Sequence, residues 1–96
     1  MSFIQQIPRQ FNRLNVEALN LNQNGVYGLF KEGQWVYVGK GDVRQRLLAH
    51  LDGDNPSILR AGPTHWVDEV HSEPNMSLRE KELIIELNPS CNKKVG

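Results

Sequence analysis

Two apolar runs separated by four polar residues constrain this chain more than any other feature. Val26-Tyr27 with Leu29-Phe30 precede Lys31-Glu32-Gly33-Gln34, and Trp35-Val36-Tyr37-Val38 follow. β-Branched and aromatic runs of this length favour a pleated, half-buried surface. The glycine between them supplies the backbone freedom that a tight turn requires. An antiparallel hairpin is therefore predicted. It sets Gly25-Val26-Tyr27 against Tyr37-Val38-Gly39 and brings two tyrosines together on paired strands.

The rest of the chain is punctuated clearly. Asp42 is a good N-cap for a helix over Val43 to Leu51, with Val43, Leu47, Leu48 and Leu51 as its apolar stripe. Arg46 and His50 stand one turn apart on a shared edge of that helix. Asn55-Pro56 can begin a short helical turn, and His65 to Val70 suits a third strand. Ser77-Leu78-Arg79-Glu80 matches a capping box and predicts a second helix, which Asn88-Pro89 ends. Residues 1–24 read as a helical extension that packs on the core or mediates dimerisation, and residues 25–96 as the main domain. The order indicates a small α+β sandwich with one mixed or antiparallel sheet.

Composition limits the function classes. Ninety-six residues suit one core, and eleven Lys and Arg balance eleven Asp and Glu. No global positive field steers polyanions to such a chain, although a local patch remains compatible with DNA. The single Cys91 cannot form an internal disulfide, which fits a reducing compartment. No apolar stretch approaches a membrane span and no leader is visible, so a cytoplasmic location is expected.

Several residues have the chemistry that phosphodiester cleavage uses. Glu80 can hold Mg²⁺ (or Mn²⁺), and Arg46 can fork non-bridging phosphate oxygens. Tyr27 can take a proton from water if the metal and Arg46 lower its pKa, with Tyr37 orienting water or phosphate. His50 can accept or relay that proton near neutral pH. Each also has an ordinary structural role. Tyrosines pack in sheets, His50 suits a helix C-terminus, Glu80 suits position N3 of a capping box, and Asn92 can serve a turn. Lys40, Arg44, Arg60, Lys93 and Lys94 are candidate phosphate-backbone contacts or a scattered solvated surface.

The ordered set resembles the GIY-YIG nuclease family. Gly25-Val26-Tyr27 and Tyr37-Val38-Gly39 match its two signatures, and Arg46, followed by Leu47 and by His50 one turn on, matches its helix arginine. Arg44 is the alternative register. Glu80, rather than Glu82, matches the metal-binding glutamate because Leu83-Ile84 follow it. Asn92 matches the late asparagine, three residues after Pro89. The resemblance implies a three-stranded antiparallel sheet flanked by helices and a DNA endonuclease using one divalent metal. It also implies Tyr27 as general base, Arg46 on the phosphate and Glu80 on the metal. Tyr37, His50 and Asn92 complete the expected site, with Gly39, Lys40, Arg44 and Lys93 on the substrate. A bulky residue at Gly39 is expected to crowd the phosphate and to harm activity more than stability. The alternative reading is a non-catalytic nucleic-acid- or protein-binding module that keeps the fold. A homodimer or a targeting partner protein is compatible with either.

Overall fold

A computed structural model describes residues 3–92. The hairpin forms the centre of the molecule. Strand β2 (Asn24–Lys31) pairs antiparallel with β3 (Gln34–Asp42), and Lys31 faces Gln34. Only Glu32 and Gly33 remain in the turn, with φ of 50° and 78°. Positive φ at both positions marks the two-residue turn whose twist matches that of its strands. An irregularity between Leu29 and Phe30 shifts the register: Leu29 faces Tyr37, whereas Phe30 faces Trp35. Tyr27 lies opposite Gly39.

Strand β4 (His65–Val70) pairs antiparallel with the other side of β2. The sheet has four strands, not the three expected, in the order β1-β4-β2-β3. The extra strand, β1 (Arg9–Gln10), pairs with Trp66 and His65. Both of its residues are exposed, so it has no apolar alternation for a sequence pattern to reveal. Backbone pairing alone creates it. Within residues 3–24, helix is limited to α1 (Arg13–Glu17), capped by Asn12, whose side chain accepts from the Asn15 N–H.

Helices cover both faces of the sheet. On one face α1, α2 (Val43–Leu51) and α3 (Pro56–Ala61) enclose Val16, Tyr27, Leu29, Leu47, Ile58 and Trp66. On the other, α4 (Asn75–Leu87) and Phe3 enclose Val26, Val38, Val67, Met76 and Leu83. This double cover explains why β2 is buried at five consecutive positions, Gly25 to Leu29, instead of alternating.

The start of α4 departs from expectation. The helix begins at Asn75, and Pro74 supplies no side-chain cap. Glu73 instead accepts from the Ser77 N–H (3.0 Å) and from the Ser77 hydroxyl (2.6 Å). Ser77 is thus inside the first turn, and Glu80 is not the N3 partner of a capping box. Its carboxylate is released from that structural duty.

Side-chain amides imitate a strand along the part of β4 that β1 leaves unpaired and along the outer edge of β3. Gln6 accepts from the Asp68 N–H and donates to the Asp68 carbonyl. Asn92 does the same to Val38 at 2.8 and 2.9 Å. The Ser90 and Cys91 N–H groups add bonds to the carbonyls of Trp35 and Val36. Covering the edges removes backbone groups that would otherwise pair with another chain.

Candidate active site

The hairpin and α2 assemble a compact polar cluster within the first core. Asp42 caps α2 by accepting from the Gln45 N–H at 3.0 Å, so Arg46 and His50 project from successive turns of a fixed helix. Tyr27 is fully buried and His50 is 1% exposed. The Tyr27 hydroxyl lies 2.7 Å from His50 Nε2. On its other side, His50 Nδ1 lies 2.8 Å from Asp54 Oδ1. The second oxygen of Asp54 accepts from Arg46 Nη2 at 3.1 Å. Tyr37 meets the His50 ring edge-on, with centroids 5.2 Å apart, and lies 6.3 Å from the Tyr27 ring.

These contacts decide the protonation pattern. An ionised carboxylate only accepts, so His50 carries its proton on Nδ1 and donates it to Asp54. His50 Nε2 is then free to accept from the Tyr27 hydroxyl. Burial lowers the His50 pKa, outweighing the opposite pull of Asp54, and keeps the imidazole neutral near pH 7. Burial, assisted by neighbouring Tyr37, pushes the Tyr27 phenol well above its ordinary value, and Arg46 offsets only part of this. Arg46 does pull the Tyr27 pKa down, as expected, but without the cation's charge burial outweighs it. Desolvation wins, and the phenol stays protonated. Tyr37 is raised as well, by burial first and then by the charge of Glu80.

Glu80 approaches from the α4 side, near enough for its charge to act on Tyr37 and for Lys40 to act on it. It is partly buried. Among the described residues its carboxylate makes no hydrogen bond or ion pair. Burial raises its pKa, with Lys40 opposing and Glu73 adding to the rise. A desolvated, uncompensated hard-oxygen donor suits Mg²⁺, which takes one or two carboxylates and retains several waters. No group of three or more His, Cys, Asp or Glu able to hold a metal occurs among the described residues. A closed all-protein cage is thus not built there, and the donor set fits a largely hydrated ion.

The other expected site residues are placed differently. Asn92 spends its amide oxygen and nitrogen on the Val38 backbone, bracing β3 between Tyr37 and Gly39. Lys40 donates to Ser77 and lies 3.7 Å from Glu73. Arg44 points to the Glu17 carbonyl on α1, at 3.5 Å, whereas Arg46 joins the cluster. Arg60 donates to Ser57 on its own helix. Lys93 and Lys94 lie outside the described residues.

Gly39 is buried, and the structure gives it a packing duty beside the expected one. A Cβ there would strike the Tyr27 hydroxyl, with Tyr27 Cζ 2.6 Å and Tyr37 Cε2 2.8 Å away. The absent side chain lets the two tyrosine rings sit against β3. Gly39→Ala should accordingly cost about 1–3 kcal/mol of stability as well as activity. Urea denaturation beside a cleavage assay checks this, since loss of activity at unchanged stability would contradict the seating role.

Asp54 is the residue that sequence reasoning missed. Asp52-Gly53-Asp54 reads as a helix-ending turn, yet Asp54 follows His50 by four residues. That spacing was the available signal.

No protein-family model matches the chain, and neither does any curated protein. Among solved structures, the chain is similar to the GIY-YIG N-terminal endonuclease domain of UvrC from Thermotoga maritima, bound to magnesium as its catalytic divalent cation. Identity is 24%, the TM-score is 0.73, and the match covers 84% of this chain and 96% of that one. Two tyrosine-to-phenylalanine mutants of that domain, also bound to the cation, match with TM-scores of 0.74 at 24% and 23% identity. Each match covers 85% of this chain and 94% of that one. The hairpin with its tyrosines, the arginine-bearing helix behind it and the glutamate-bearing helix across the sheet therefore form a GIY-YIG endonuclease fold.

Proposed function

We propose that this chain is a metal-dependent endonuclease that hydrolyses DNA phosphodiester bonds with one divalent cation, Mg²⁺ or Mn²⁺, held by Glu80. The observation that carries this reading is the pairing of an unengaged, partly buried Glu80 carboxylate with a hydrogen-bonded Tyr27–His50 pair beside Arg46. The similarity to an endonuclease domain bound to its catalytic divalent cation supports the same reading. A bound cation supplies positive charge to a phosphate oxygen and to the departing oxygen.

The protein's own groups provide the rest. Burial favours the neutral phenol of Tyr27 before a cation binds, and Tyr27 need not ionise in advance to act. It works as a conduit. As the water oxygen bonds to phosphorus, its proton passes to the Tyr27 oxygen while the phenolic proton passes to His50 Nε2. The bond from phosphorus to the ester oxygen breaks, and the leaving alkoxide takes a proton from solvent. His50, briefly an imidazolium, returns its proton to solvent as the site resets. Arg46 offers its fork to the non-bridging oxygens, where charge accumulates. Tyr37, packed edge-on to His50, holds the ring pair in register. Asn92 contributes by fixing the edge of β3 rather than by touching the substrate.

Plasmid nicking tests this directly. The chain should nick supercoiled DNA in Mg²⁺ and stop in EDTA. Tyr27→Phe removes the conduit oxygen and should slow cleavage by about 10²–10⁴-fold, the range of general acid–base catalysis. Nicking that survives EDTA, or that Tyr27→Phe leaves at the wild-type rate, would refute the proposal.

A further inference from the structure

Asp54 stands just beyond α2, after Gly53 with a φ of 88°. Its two oxygens serve two different members of the cluster: Oδ1 lies 2.8 Å from His50 Nδ1, and Oδ2 lies 3.1 Å from Arg46 Nη2. Histidine tautomers are set by the partner of one ring nitrogen. Here the partner of Nδ1 is an acceptor, which leaves Nε2 bare and 2.7 Å from the Tyr27 hydroxyl. The opposite tautomer would point an N–H at Tyr27, and the phenolic proton would lose its acceptor in the cluster.

We propose that Asp54 is the positioning residue of this site, holding His50 in the Nδ1-protonated tautomer and Arg46 in place through one shared carboxylate. The inference rests on the endonuclease reading for its catalytic consequence, but not for its structural one. As His50 takes the Tyr27 proton it becomes a cation in a buried setting, and Asp54 is the adjacent anion that offsets the charge. The chain Tyr27–His50–Asp54 then works on the logic of a nucleophile–base–orienter triad. Its first member passes on the proton of water instead of attacking. The carboxylate is only partly exposed, its side chain being 33% accessible, so the pair with buried His50 is shielded on one side.

The charged and titratable groups around His50 are few. Tyr27 comes from β2, Tyr37 from β3, Arg46 from its own helix and Asp54 from the following turn. Helix α1 brings Arg13 and Glu17, with Arg13 engaged by Asp52 and Glu17. Helix α3 brings Arg60, bonded to Ser57. Asp54 is thus the acidic group in direct contact with the imidazole.

The test compares the full chain with Asp54→Asn and Asp54→Glu. Plasmid cleavage at saturating Mg²⁺ is measured across pH, and the His50 ring is followed by ¹⁵N NMR. Asp54→Asn should lower kcat on the order of 100-fold with KM unchanged, and Asp54→Glu should recover part of the loss. Asp54 pulls the His50 pKa upward against burial. Removing that charge should move the acid limb of kcat to lower pH. In the wild type, NMR should find Nδ1 protonated and Nε2 bare, whereas Asp54→Asn should give a mixture of tautomers. A variant with wild-type kcat and an unmoved acid limb would overturn the proposal, as would a wild-type His50 protonated on Nε2. A chain that cleaves nothing, yet shows the Asp54-dependent tautomer, would support the positioning role and overturn the endonuclease reading alone.

Discussion

Glu80→Gln should abolish metal-dependent cleavage and leave the fold at least as stable as before. The two effects have separate causes. The divalent cation of a phosphodiesterase contributes several kcal/mol to transition-state charge stabilisation, so losing its carboxylate should cost about 10³-fold in rate. Stability goes the other way because burial raises the Glu80 pKa and Glu80 makes no hydrogen bond among the described residues. A carboxyl group whose folded pKa is raised stabilises the fold below its unfolded pKa and loses that contribution as pH rises through the folded value. At neutral pH the charged carboxylate is therefore a burden that the amide relieves. Activity runs the opposite way with pH, because metal affinity should fall as acid protonates Glu80. Cleavage rates and thermal melts of the two proteins check both halves, and a marked fall in Tm would assign Glu80 a structural role instead.

The second large effect concerns a different carboxylate. Glu69 is 5% exposed and accepts from Arg79 Nε (2.9 Å), Arg79 Nη2 (3.1 Å), His71 Nε2 (2.9 Å) and the Ile4 N–H (2.8 Å). These bonds tie the N-terminal segment and α4 to β4. Burial alone would raise the Glu69 pKa, but the bonds from Arg79, His71 and Ile4 outweigh it and hold the group at about 2. Glu69→Gln leaves the Arg79 guanidinium short of its main counter-charge, although Glu82 still accepts from it. Breaking a buried pair costs about 3–5 kcal/mol, and the surviving Glu82 contact places this variant near 3. For a domain of this size that is a fall in Tm of about 12–24 °C. A depressed carboxyl pKa stabilises the fold above the unfolded value and loses that contribution as pH falls. Wild-type stability should therefore drop between the ordinary 4.5 and about 2, while Glu69→Gln should show a shallower drop. Melts followed by circular dichroism from pH 2 to 7 measure the difference, and parallel curves would contradict the assigned role.

These two carboxylates show what could be read in the sequence. The hairpin was legible because its information is local: two apolar runs, a glycine, and a turn type that follows from both. The placement of Arg46 over Arg44 was legible for the same reason, since Leu47 fixes which side of α2 faces the core. Long-range pairing was not. Strand β1 exists through backbone bonds to His65 and Trp66, and its exposed side chains leave no pattern. The Ser77–Glu80 capping box satisfied the local rule, yet Glu73 reached Ser77 first and the helix started earlier. That local failure is informative, because it separates Glu80 from its ordinary explanation. Asp54 stayed hidden because only the folded turn after α2 brings it onto His50. The contacts of Asn92 with Val38 and the close fit of Gly39 against Tyr27 also depend on long-range pairing that no local pattern shows.

A crystal structure with Mn²⁺ and a DNA duplex would test most directly whether the two faces of the sheet converge on one phosphate. The expected result is an anomalous manganese peak at the Glu80 carboxylate, with a single backbone phosphate between it and the Tyr27 hydroxyl. Manganese bound away from Glu80, or a phosphate beyond reach of Tyr27, would contradict the account.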